Sequence, residues 1–164
     1  MAVFELVLVV SAPFCALVAG FVFAFSSVVM PGIQSFGDRD FLRAFKAIDG
    51  VIQRSQKSFL VVWLGSIVLL AISLLLGFWH LSGIDLFLLI LAAAIYLLGV
   101  QMPTVRINVP LNNMLQETDL DSLDNSQINE TRIRFEASWV KWNHIRTVLA
   151  TISSALLILL LMKL

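Results

Sequence analysis

Four apolar runs constrain this chain more than any other feature of its sequence. A helix that crosses a bilayer needs about 20 mostly apolar residues. The runs cover residues 7–30, 59–79, 86–102 and 148–162. With 59% hydrophobic and 13% charged residues, the 164-residue chain has more apolar side chain than a soluble core of its size can hide. We therefore predict an integral membrane protein, all-α, with a four-helix bundle as its single domain.

The basic residues predict how the bundle is oriented. Apart from Lys163, every lysine and arginine lies in two long connections, residues 31–58 and 103–147. The short link between the second and third runs has none. By the positive-inside rule, both connections face the cytoplasm and both termini lie outside, in a plasma or inner membrane. The formal net charge of zero gives no indication of nucleic-acid binding.

Both long connections carry helical patterns. Apolar residues recur at helical spacing before the second run, at Phe41, Phe45, Ile48 and Ile52, and before the fourth, at Ile128, Phe135, Trp139 and Trp142. The third helix continues toward Gln116, with a kink or interruption expected at Pro103 and Pro110 because proline lacks a backbone donor. Only residues 117–125 have the composition of a loop. We therefore predict that helices 2, 3 and 4 extend into a cytoplasmic cap.

Polar residues are concentrated where the fourth helix meets the bilayer. At 100° per residue, Trp139, Asn143 and Arg146 share one face, whereas His144 points toward another. On the third helix, the aligned polar residues are Gln101, Asn108 and Asn112. On the first helix, the small residues Ala16, Gly20, Ser27 and Pro31 form a stripe that permits close approach of a neighbour. We predict that these stripes meet at one pocket at the cytoplasmic rim.

Each of these residues also has a purely structural explanation. Trp139, Trp142 and Lys141 are typical of anchors at a membrane boundary, and an asparagine between helices often satisfies a backbone group. Several amides together with Arg106 and Arg146 are nevertheless costly near the apolar level unless they have partners or a ligand. A functional polar site and a structural hydrogen-bond network therefore both remain open.

Four segments resemble one known family. In order along the chain they are GFVFAFSSVVMPGI, FLRAFKAID, INVPLNNML and FEASWVKWNHIRT. They are similar to the anthrone oxygenase-like family of small four-helix membrane proteins, in which an N-x-P-L-N element follows the third helix and a W-x-x-W-N-x-x-R-T element opens the fourth. The resemblance covers essentially the whole chain. The positions that correspond are Asn108, Pro110, Asn112, Trp139, Asn143, Arg146 and Thr147.

The resemblance implies a reaction, because some members of that family are associated with oxidising anthrones to anthraquinones without a cofactor. Such a site needs a base, donors for an oxyanion and an aromatic pocket. His144 is the candidate base, although it has a structural alternative as a hydrogen-bonding residue at the interface. Asn143 and Arg146 are the candidate oxyanion donors. The predicted substrate-binding residues are Asn108, Asn112, Trp139 and Thr147.

Other chemistries find little support in the sequence. His80 and His144 are separated by about 30 Å of hydrocarbon and cannot ligate one haem together. The acidic loop lacks a calcium ligand at Leu123, and no metal or cofactor is expected. The expected partners are a lipophilic small molecule and membrane lipid, with a homo-oligomer left open. The alternative function is a non-enzymatic membrane binding or assembly protein that holds a quinone, haem or lipid-like ligand.

Overall fold

The computed structural model describes residues 3–54 and 56–164, and all regular structure in this part of the chain is helical. Ser55, in the predicted first connection, lies outside the described residues. The helices are α1 Val3–Gln34, α2 Asp38–Gln53, α3 Lys57–His80, α4 Gly83–Glu117 and α5 Asn125–Lys163. All except α2 are long and apolar enough to cross a membrane. The prediction of an all-α four-helix membrane bundle is confirmed.

The four long helices form a closed ring of neighbours. α1 packs along α3 on one side and along α5 on the other, and α4 lies between α3 and α5. Leu8, Leu70, Leu89 and Leu157 are fully buried in the centre. Many large apolar side chains remain exposed on the outer faces of these helices, as expected where the surrounding medium is lipid.

A smaller layer, the cap, lies at one end of the bundle. It consists of residues 38–53 of α2 together with residues 109–117 of α4 and 125–139 of α5, which α2 contacts. Phe45 and Phe135 are buried at its centre. α4 and α5 therefore extend beyond their most apolar segments, as predicted. The side of the membrane on which the cap lies stays a prediction.

One expectation about the second helix is wrong. We expected the apolar stripe that begins at Phe41 to continue as one helix into the second span. Instead, the helix ends at Gln53 and a new helix begins at Lys57. The amide of Arg54 closes the end of α2 by donating to the carbonyl of Gly50 at 3.1 Å. α2 is polar on one side and apolar on the other, so it buries its apolar side on protein, whereas α3 is apolar all round and suits lipid.

Basic residues of α2 hold the loop between α4 and α5 against the cap. Arg39 and Lys46 donate to backbone carbonyls of residues 118–124, and Arg43 pairs with Asp121. The Arg43 guanidinium holds the pKa of the Asp121 carboxyl below its usual range. A lowered pKa in the folded state stabilises the fold at neutral pH, and this contribution is lost as the pH falls through that pKa. Arg39, Arg43 and Lys46, which contribute to the predicted orientation, thus also have structural partners.

Three π-helical segments widen the helices in the described part of the chain. They are Phe25–Val29 in α1, and Ile95–Gln101 and Thr104–Asn108 in α4. Each ends two residues before a proline, at Pro31, Pro103 and Pro110. A proline has no amide hydrogen and its ring clashes with the carbonyl four residues earlier, so a wider turn before it relieves both problems. We expected a kink or an interruption at these prolines; α4 continues through both of them, so it is not interrupted.

The aromatic centre of the cap should dominate its stability. The Phe135 ring is fully buried, with its centroid 4.6 Å from that of Phe45. We expect Phe135→Ala to lower the free energy of unfolding by about 3–5 kcal/mol, measured by denaturation in detergent micelles. The matched control is Phe23→Ala, whose side chain is 54% exposed on the outer face of α1. Similar losses in both variants would contradict a well-packed cap.

Candidate functional site

A cavity of about 360 Å³ lies where the cap meets the bundle. Its volume is within the range of ligand pockets, about 300–1,000 Å³. All five helices contribute to it. Its apolar lining consists of Phe21, Phe25, Phe45, Ile52, Phe59, Leu60, Trp63, Val109 and Trp139. Its polar lining consists of Asp49, Gln53, Thr104, Asn108, Asn112, Asn143 and Arg146.

Aromatic rings form two groups in the lining. In the first, the Phe59 ring centroid lies 5.0 Å from that of Phe21 and 5.3 Å from that of Trp63, with which it is stacked. In the second, the Phe45 and Trp139 rings meet nearly edge to face at 5.1 Å. Flat, weakly polar surfaces of this kind suit a planar polycyclic ligand, which they can contact over the faces and edges of its rings.

Arg146 is a buried cation without an anionic partner in the described part of the chain. Its side chain lines the cavity, and the residue is only 4% exposed. The guanidinium donates to the Thr104 hydroxyl and to the Asn143 amide oxygen, each at 2.8 Å, and its Nε has no partner. No carboxylate among residues 3–54 and 56–164 forms an ion pair with it. Burying a charge costs several kcal/mol, so an anion or an oxygen acceptor beside this guanidinium would offset part of that cost.

Asn143 holds this guanidinium in place. Its amide nitrogen donates to two groups of α1, the Val22 carbonyl at 3.0 Å and the Ser26 hydroxyl at 2.7 Å. Those bonds leave the amide oxygen directed at Arg146. The Ser26 hydroxyl lies in the π-helical segment of α1 and is also 2.9 Å from the hydroxyl of Thr147. The widened turn of α1 therefore takes part in orienting the buried cation.

A second chain of hydrogen bonds leads to a buried carboxylate. The indole nitrogen of Trp139 donates to the Asn112 amide oxygen at 2.8 Å. The Asn112 nitrogen in turn donates to Asp49 Oδ1 at 2.8 Å, and Gln116 donates to Asp49 Oδ2 at 2.9 Å. Asp49 is 2% exposed and lines the cavity. Asn108 donates to the Trp139 carbonyl at 3.3 Å, and its own side-chain oxygen has no partner.

The structure brings most of the predicted residues together and separates two of them from the cavity. Those that line it are Asn108, Asn112, Trp139, Asn143 and Arg146. Thr147 is buried behind the cavity, where it contacts Ser26. His144 is exposed, and its Nδ1 lies 2.8 Å from the Val140 carbonyl of its own helix. His144 therefore contacts its own helix and lies outside the cavity lining, and its role as a base stays a prediction.

Sequence reasoning missed Asp49 and chose the wrong face of α1. Asp49 follows Phe45 by four residues, so a carboxylate falls on the buried side of an otherwise apolar stripe, and this signal was available. On α1, Gly20 and Ser27 of the predicted small stripe are exposed, whereas Phe21 lines the cavity. A helix that is apolar all round does not reveal which side packs inward.

Comparisons with known proteins agree with the geometry. The sequence model of a family described as anthrone oxygenase matches residues 52–156, well over half of the chain. The match includes the polar cavity residues from Gln53 to Arg146, and Asp49 lies three residues before it. No curated protein and no solved structure matches the chain significantly. Within residues 3–54 and 56–164, no three His, Cys, Asp or Glu side chains are grouped to hold a metal ion.

Two substitutions should distinguish the structural role of Asn143, which holds the guanidinium in place, from that of Arg146, which carries it. We expect Asn143→Ala to lower the free energy of unfolding by about 1–3 kcal/mol, because buried hydrogen-bonding groups of α1 and Arg146 lose their partner. We expect Arg146→Met to change it by less than about 1 kcal/mol or to raise it, because a buried charge is replaced by an apolar chain of similar length. Denaturation in detergent measures both. A larger loss for Arg146→Met would identify Arg146 as a structural element.

Proposed function

The chain belongs to the anthrone oxygenase family, and on this premise we propose that it oxidises a lipophilic, polycyclic phenol of the anthrone type with molecular oxygen and without a cofactor. The observation that carries the proposal is the buried guanidinium of Arg146, which lines an aromatic cavity and has no carboxylate partner among the described residues. The enolate of an anthrone has aromatic rings and a negatively charged oxygen. Its rings would contact the aromatic lining, and its oxygen would accept hydrogen bonds from the guanidinium.

The chemistry of an anthrone explains why no cofactor is required. The molecule has a methylene group between two aromatic rings that also flank a ketone. Loss of one methylene proton gives an enolate, which transfers electrons to oxygen and forms a carbon–oxygen bond, giving a hydroperoxide after protonation. Loss of the second proton breaks the oxygen–oxygen bond and releases hydroxide. The balance is one methylene and one O₂ to one ketone and one water.

Arg146 is proposed to bind the enolate oxygen. Donors that are already in place where negative charge develops usually supply the largest part of such catalysis, because they need no reorganisation. Thr104 and Asn143 hold the guanidinium on two sides, which supports such preorganisation. Asn143 therefore has a positioning role, since its own amide groups are occupied by α1 and by Arg146.

The remaining lining is proposed to hold the ring system of the substrate. Trp139 and Phe45 offer aromatic surface on the cap side of the cavity. Asn108 has an unpartnered amide oxygen, which can accept a hydrogen bond from a phenolic hydroxyl. Asn112 is proposed to act indirectly, because its amide joins Trp139 to Asp49. Thr147 is proposed to support Ser26 from behind the cavity.

The position of the cavity supports a substrate that arrives through the bilayer. Leu60 and Trp63 belong to the first turns of α3, and both line the cavity. Leu60 is 37% exposed on the outer surface of this apolar helix. An apolar polycyclic molecule concentrates in lipid because its surface is removed from water there. A cavity reached beside Leu60 would therefore receive such a molecule directly from the membrane.

Turnover of an anthrone tests the proposal. The purified protein in detergent, freed of metals with a chelator, should consume one O₂ for each anthraquinone formed, measured with an oxygen electrode and by absorbance. Arg146→Met should lower kcat by about 10²–10³-fold, the usual effect of removing an oxyanion donor. Arg134→Met is the matched control, because Arg134 is exposed and lies outside the cavity lining.

The same preparation distinguishes an enzyme from a binding protein. Trp63 and Trp139 line the cavity, so a bound anthraquinone should quench the protein's tryptophan fluorescence. Quenching without any acceleration of oxygen uptake would favour the non-enzymatic alternative. Equal activity of the Arg146→Met and Arg134→Met variants would contradict the proposed role of Arg146.

A further inference from the structure

Asp49 is a buried carboxylate for which the binding of an enolate gives no role. It lies on α2, in the cap, and lines the same cavity as Arg146. It is 2% exposed, yet no lysine or arginine forms an ion pair with it among the described residues. Burying a carboxylate without a cation costs free energy, so its presence in the wall of a cavity calls for a chemical explanation.

Asp49 is also the one cavity-lining side chain of the described residues that can act as an anionic base. The other polar lining groups are amides, a threonine hydroxyl and the permanently charged guanidinium of Arg146. His144, the base candidate from the sequence, is exposed and outside the lining. Proton abstraction requires a base that can reach the carbon acid, and among the described residues Asp49 is the one carboxylate in the cavity lining.

The hydrogen bonds of Asp49 orient its carboxylate without occupying all of it. Asn112 donates to Oδ1 at 2.8 Å, and Gln116 and Gln53 donate to Oδ2 at 2.9 and 3.3 Å. A carboxylate has about four lone-pair sites, so one remains for a proton. All three donors are neutral amides, so within the described residues no cation is hydrogen-bonded to this carboxylate. The indole of Trp139 fixes the direction of the Asn112 amide by donating to its oxygen.

We propose that Asp49 is the general base of this reaction, taking the methylene proton while Arg146 binds the enolate oxygen; this inference rests on the proposed function. The carbon–hydrogen bond breaks, its proton goes to Asp49 and its electron pair enters the enolate. Carboxylates perform this step in enzymes that pair them with an oxyanion hole, because stabilising the enolate makes the carbon more acidic.

The same carboxyl group completes the cycle. After O₂ has been reduced to a carbon-bound peroxide anion, protonated Asp49 supplies the proton that forms the hydroperoxide. The regenerated carboxylate takes the second methylene proton as the oxygen–oxygen bond breaks and hydroxide leaves. The ketone forms, and hydroxide with the proton on Asp49 gives water. No further oxidant or reductant is required.

Hydrogen exchange without oxygen isolates the proton step. Under argon, the wild-type protein in heavy water should accelerate the exchange of the anthrone methylene hydrogens for deuterium. Mass spectrometry measures this exchange. Asp49→Asn should lower this exchange rate by about 10²–10⁴-fold, the usual contribution of a general base. Asp40→Asn is the matched control, because Asp40 lies on the same helix with a side chain 73% exposed. Quenching by the anthraquinone should persist in Asp49→Asn.

The outcomes separate this inference from the proposed function. Exchange by the wild type without oxidation in air would leave Asp49 as a base and overturn the oxygenase proposal. Oxidation and exchange that survive in Asp49→Asn would overturn the role of Asp49 alone. If hydrogen exchange is lost in His144→Ala and not in Asp49→Asn, His144 is the base. Neither exchange nor oxidation in the wild type would overturn both proposals.

If the Asp49→Asn variant does not fold, Asp49→Glu provides the test. Glutamate keeps the carboxylate but moves it by one methylene group, so we expect measurable exchange at a rate reduced about 10-fold or more, since small displacements of a catalytic group are costly. Exchange by Asp49→Glu at the wild-type rate would contradict direct proton transfer, because a group in contact with the carbon acid cannot be displaced without effect.

Discussion

The buried guanidinium of Arg146 is the interaction on which the rest of the site depends. It has no carboxylate partner among the described residues. Its position is held by two neutral groups, Thr104 of α4 and Asn143 of its own helix. Thr104 comes from a π-helical segment of α4, and Asn143 is itself anchored to a π-helical segment of α1 through Ser26. The widened turns that the prolines favour are thus also the turns that supply polar groups to the cation.

The site is assembled from two parts of the molecule with different physical characters. The membrane bundle contributes Arg146 and the two neutral residues that bind its guanidinium, Thr104 and Asn143. The cap contributes Asp49 and the aromatic surface of Phe45. Opposite charges therefore line one cavity without pairing with each other, which leaves both available to a ligand. The break between α2 and α3 is what allows this arrangement, because a continuous helix would not fold back to bring Asp49 over the bundle.

The cavity-lining residues that could be predicted lie on α4 and α5, whereas Asp49 on the amphipathic α2 was missed. On α5, the spacing of Trp139, Asn143 and Arg146 fixes a common face, and all three line the cavity. The same spacing separates His144 from that face, so its assignment as a base followed from residue type and not from geometry. The membership of the chain in its family also follows from these segments, because they carry the specific motifs.

The sequence by itself determined the membrane bundle, because four apolar runs have no other stable environment, and it determined which sides of α4 and α5 carry polar groups. Only the tertiary structure decided which side of α1 faces inward, since its apolar residues surround the helix and fit lipid or protein equally well. It also decided that α2 folds back and places Asp49 beside the cavity. Such choices depend on how side chains from distant segments fill a common space, and local spacing contains no information about that.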